Sequence, residues 1–84
     1  MKVELLVLEF RGDPGVSPPV INVRLVDPRG ELPSRWLGSV EARIADDDHF
    51  WDLITTAYRT IAAKLISDAF GPGAEWSEVV EDIC

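Results

Sequence analysis

Between residues 3 and 44 apolar side chains recur at every second position, and from residue 50 to 69 they recur at every third or fourth. The first period is that of strands and the second that of a helix. In residues 2–10, Val3, Leu5 and Val7 fall on one face and Leu6, Leu8 and Phe10 on the other, the pattern of an inner strand covered on both sides. Residues 20–26 alternate Ile21, Val23 and Leu25 with Asn22 and Arg24, which marks a half-buried strand. A third strand over 36–45 is predicted to turn Trp36, Gly38, Val40, Ala42 and Ile44 inward and Ser39, Glu41 and Arg43 to water. The connections carry turn chemistry. Asp13-Pro14-Gly15 and the Pro18-Pro19 pair make the first a long exposed loop, and Asp27-Pro28-Arg29-Gly30 has the residue order of a type I turn.

The helical period predicts one long helix over 47–70, with Phe50, Leu53, Ile54, Ala57, Ile61, Leu65 and Ala69 on its core face. Gly71-Pro72-Gly73 ends it, glycine supplying the cap and proline forbidding continuation. A second strip, Trp51, Tyr58, Ala62 and Ile66, implies another neighbour besides the sheet. The tail supplies a candidate: Trp76, Val79, Val80 and Ile83 stand at i, i+3, i+4 and i+7, which predicts a short helix over 74–83. So short a helix is marginal alone and must dock on the long helix, on a partner or on a second copy. The expected fold is one α+β domain spanning 1–84, a three-stranded antiparallel meander packed against one long helix, with a short acidic C-terminal helix.

A chain of 84 residues with 46% apolar composition supports one core, burying roughly 60–65% of its unfolded surface. The longest unbroken apolar run, Leu5–Leu8, is far below the ~20 residues that span a bilayer, and no basic segment precedes a hydrophobic one. A soluble, cytoplasmic protein is expected. Cys84 is the only cysteine, so no internal disulfide can form. Glu81 and Asp82 beside it favour a passive thiol over an intermolecular bridge.

Charge changes the picture more than composition does. Residues 1–44 carry six basic and six acidic side chains, whereas residues 45–84 carry nine acids against Arg59 and Lys64, so the second half holds the whole net charge of −7. Such a surface repels phosphate backbones and anionic lipid and attracts basic partners. Asp46, Asp47 and Asp48 fall where the strand period gives way to the helical one. There a carboxylate caps free N–H groups and meets the positive end of the helix dipole.

His49, the only histidine, is expected as a first-turn residue. Without a second histidine, HExxH or a spaced DxDxDG loop, neither a metal nor any other cofactor is expected. No serine lies in a GxSxG context and the glycines do not form a phosphate cradle, so no catalytic residue is assigned and an enzyme is not expected. Glu75, Glu78 and Glu81 recur every three residues with Asp82 adjoining, on the face opposite the apolar side of the predicted tail helix. At that helix's negative end such charge is unfavourable, so it serves either recognition or solubility.

Three functional classes remain. The first is a small acidic, non-enzymatic inhibitor or regulator that docks on a basic protein surface, one that otherwise holds nucleic acid included. Small acidic phage proteins that block restriction or CRISPR nucleases work by this logic. Asp46, Asp47, Asp48, Asp52, Asp68, Glu75, Glu78, Glu81 and Asp82 would then steer, and Trp51, Tyr58 or Trp76 would anchor. The second is a dimerising antitoxin or regulatory partner. The third is a metal-assisted hydrolase built on Asp46, Asp48 and His49.

Overall fold

A computed structural model of the chain describes residues 5–80, apart from the side chains of residues 45 and 46. The architecture is α+β: strands β1 (Leu5–Asp13), β2 (Val20–Val26) and β3 (Arg35–Glu41), a 3₁₀ turn (Ala42–Asp46), helix α1 (Asp48–Phe70) and strand β4 (Glu75–Val80). The sheet has four strands in the order β3-β2-β1-β4. β1, β2 and β3 form the expected antiparallel meander, while β4 pairs parallel to β1, with Leu6 opposite Trp76 and Phe10 opposite Val80. The helix is the crossover that such a parallel pair requires.

Helical spacing in the tail is therefore misleading. Residues 75–80 form a strand where a short acidic helix over 74–83 is expected, and residues 81–84 lie outside the described residues. A meander alone would leave one edge of β1 with unpaired N–H and C=O groups. Trp76, Val79 and Val80 suit a strand better than an isolated helical turn or two, and pairing satisfies the free edge.

The helix covers one face of the sheet. Leu6, Leu8 and Phe10 of β1 and Ile21 and Val23 of β2 are buried there, with Ala62 and Ile66 of α1 buried above them. Phe10 stands edge-on to Trp51 at 5.2 Å between ring centroids and to Tyr58 at 6.4 Å. On the other face Leu5 is exposed and Val7 half-buried, so β1 lacks the two-sided cover that its hydrophobicity suggests.

Two further expectations are corrected. Trp36 is 61% exposed, because a bulge pairs Val23 with Gly38 but Arg24 with Trp36, which breaks the alternation of β3. The helix is also rotated relative to its expected orientation. The strip Trp51, Tyr58, Ala62 and Ile66 faces the sheet, and Phe50, Leu53, Ala57 and Ile61 face away. Small Ala62 lets the helix approach closely while the two large rings flank Phe10. Gly38 makes room for one of them, since a Cβ there would lie 2.5 Å from the Tyr58 hydroxyl oxygen.

The ends of the helix and the β2–β3 turn follow the sequence, whereas β1 runs on to Asp13 and β3 stops at Glu41, the 3₁₀ turn taking Ala42 and Ile44 out of the expected strand. The Asp47 side chain accepts a hydrogen bond from the His49 N–H at 2.9 Å and caps α1. At the far end Gly71, at φ 88°, donates its N–H to the Ser67 carbonyl. The type I turn closes with the Gly30 N–H donating to the Asp27 carbonyl at 3.0 Å. The buried Asp27 carboxylate also accepts from the N–H groups of Arg29 and Leu32 and from the Arg29 guanidinium. The Arg29 hydrogen bonds hold its carboxyl below the ordinary aspartate range, against the opposing effect of burial.

Two predictions follow from these contacts. Gly38→Ala should destabilise the fold by roughly 1–3 kcal/mol in urea unfolding, and adding Tyr58→Phe should recover part of that loss; equal midpoints for all three chains would refute the close approach. Because folding lowers the Asp27 pKa, its contribution is present above the unfolded value of about 3.9 and lost as pH falls through the lower folded value. Asp27→Asn should therefore lower Tm at neutral pH, with the gap narrowing as pH falls below the unfolded value. A gap independent of pH would mean that ionisation of Asp27 does not hold the loop.

Candidate docking surface

The acidic residues that sequence reasoning singles out do not form one surface. Asp47, Asp48 and Asp52 are exposed around the first turns of α1. Asp68 is exposed near the helix's other end, roughly 24 Å from Asp52 at 1.5 Å per residue. Side chains three apart on a strand point to opposite faces, which separates Glu75 from Glu78. Glu75 is exposed, whereas Glu78 is half-buried on the helix side and bonded to Arg59 of α1. The Asp46 side chain, Glu81 and Asp82 lie outside the described residues.

The three candidate anchors are already engaged within the fold. Trp51, Tyr58 and Trp76 are partly buried and pack against the core. The aromatic residues most open to solvent are instead Trp36, at the bulge, and Phe50, on α1. Neither exposure is legible from periodicity alone: the bulge inverts one side chain, and two apolar strips on one helix leave its rotation undetermined.

That rotation leaves an aligned apolar stripe on the surface. Phe50, Leu53, Ala57 and Ile61 are spaced i, i+3, i+7 and i+11 along one stripe, with the three larger side chains 51%, 54% and 44% exposed. Asp47 lies one turn before Phe50, and Asp68 continues the stripe two turns beyond Ile61, with Lys64 between them. The stripe is a ridge of about three turns, apolar at its centre and acidic at both ends. It can fill an apolar groove in another protein while its ends meet cations.

Among the described residues no group of three or more His, Cys, Asp or Glu side chains converges on a potential metal position, and His49 is exposed beside the Phe50 ring. Among them, too, no helix is long and apolar enough to cross a membrane.

The two faces of α1 should respond very differently to substitution. Ile66→Ala is expected to cost about 2–4 kcal/mol in denaturant unfolding, whereas Leu53→Ser and Ile61→Ser should each stay within about 0.5 kcal/mol. Comparable losses at all three positions would place the outer stripe in a core or an obligate interface.

No protein-family model, curated protein or solved structure matches the chain.

Proposed function

We propose that the protein is a non-enzymatic binding module, an inhibitor or regulator that docks on a basic protein through the outer ridge of α1. The observation that supports this reading most is the alignment of Phe50, Leu53 and Ile61 in solvent on a single stripe, flanked by Asp47 and Asp68. Isolated exposed apolar residues are ordinary on protein surfaces, but an aligned row on a regular element is the shape of a docking anchor. The stripe supplies contact area, and the surrounding carboxylates supply steering and choice of partner.

The same charges argue against self-association through this ridge. Antiparallel packing of two copies would bring the Asp47 and Asp48 end of one against the Asp68 end of the other, with Lys64 as the only cation on the stripe. Parallel packing would juxtapose identical acids. A partner with an apolar groove rimmed by lysine or arginine meets neither penalty. A surface that otherwise binds nucleic acid is one such partner.

The test is affinity capture of host proteins with the tagged chain at low and high salt, run in parallel with a Leu53→Ser/Ile61→Ser variant and an Asp47→Asn/Asp68→Lys variant, in which asparagine keeps the cap of α1. The expected partner is basic, is lost from both variants, and is released as salt rises from about 0.05 to 0.5 M. A partner retained equally by the wild type and both variants would refute docking through the ridge.

A further inference from the structure

At the sheet end nearest the C-terminus of α1, a groove of about 490 Å³ lies between the helix and the β2–β3 loop. Its inner part is formed by the buried Leu6 and Ile66 with Leu25, and its outer part by Phe70 and Leu32. The volume falls within the range of about 300–1,000 Å³ common for small-molecule sites. The loop wall is braced, because the Asp27 carboxylate accepts from the N–H groups of Arg29 and Leu32. The Arg29 guanidinium, 2.9 Å from Asp27, compensates the one carboxylate that lines the groove.

One cation remains. Arg35, the first residue of β3, lines the same groove, is exposed, and makes no ion pair among the described residues. Ser34 stands next to it in the lining. In a chain of net charge −7, an uncompensated guanidinium at the edge of an apolar groove is chemically specific. It complements a single carboxylate, which a guanidinium binds with two parallel hydrogen bonds. More highly charged anions would be opposed by the net negative charge of the whole molecule.

We propose that this groove binds an amphipathic monocarboxylate, its hydrocarbon part against Leu25, Ile66 and Phe70 and its carboxylate on Arg35. The site is separate from the outer ridge of α1 and does not depend on the reading of that ridge.

The experiment titrates the full chain with decanoate, decanol and decylammonium, each kept below its aggregation concentration, and follows backbone amide shifts by NMR. Decanoate should shift amides around Leu25, Leu32, Arg35, Ile66 and Phe70 and bind about tenfold or more tightly than decanol, with decylammonium weakest. Arg35→Gln, at an exposed position, should reduce decanoate to the affinity of decanol. Ala69→Trp, which fills the groove from the helix side, should abolish binding of both while leaving distant amides unshifted. The proposal is overturned if decanoate fails to bind up to about 1 mM, the affinity of a weak ligand. It is equally overturned if decylammonium binds as well as decanoate, or if Arg35→Gln leaves decanoate binding unchanged.

Discussion

An α-helix is about 10 Å across with its side chains, whereas four strands spaced at about 4.8 Å separate the two outer backbones by about 14 Å. One helix cannot cover such a sheet, and this mismatch governs the molecule. Among the described residues of the sheet, complete burial is confined to the middle strands, where Leu8, Phe10 and Val23 are closed off beneath Ala62 of α1. Toward the edges cover thins: Val80 of β4 is 55% exposed, and the loop side of β2 opens into the groove beside Phe70. The core is therefore small and depends on the quality of its central contacts. The Phe10 ring between Trp51 and Tyr58, with Gly38 beneath the tyrosine hydroxyl, is the contact that sets the rotation of the helix.

Rotation in turn determines the surface. Turning Trp51, Tyr58, Ala62 and Ile66 inward obliges Phe50, Leu53 and Ile61 to face solvent, since the two strips lie on different sides of one cylinder. The choice between them rests on shape more than hydrophobicity. A Trp–Tyr–Ala–Ile strip offers two large rings and a close approach, and it fits a sheet whose centre presents Phe10 and a glycine. One buried polar atom accompanies this choice: the Thr55 hydroxyl lies within the inward strip without a hydrogen-bond partner among the described residues. The outward strip is also apolar, and its three large side chains remain about half exposed.

Features that depend on one or two residues were legible in the sequence. A carboxylate cap among Asp46–Asp48, the Gly71 stop and the Asp27–Gly30 turn each follow from local stereochemistry, and the structure gives the cap to Asp47. The strand β4, the bulge at Trp36 and the rotation of α1 depend on contacts between distant segments, and periodicity does not specify them. Spacing of i, i+3 and i+4 in Trp76, Val79 and Val80 satisfies a helix, but the free edge of β1 decides the matter in favour of a strand. That change also dissolves the acidic stripe of the tail, because Glu75 and Glu78 part to opposite faces and Glu78 is engaged by Arg59. The acidity survives as a property of the helix ends and of the molecule as a whole.

The central claim is that one helix, seated on Phe10 by Trp51 and Tyr58, covers a sheet completed by a parallel β4. Nuclear Overhauser contacts in isotope-labelled protein test it most directly. The account predicts contacts between the Phe10 ring and both the Trp51 and Tyr58 rings, together with interstrand contacts linking Leu6 to Trp76 and Leu8 to Glu78 in parallel register. Sequential helical contacts through residues 75–80, or contacts from the sheet to Leu53 and Ile61 in place of Tyr58 and Ala62, would contradict it.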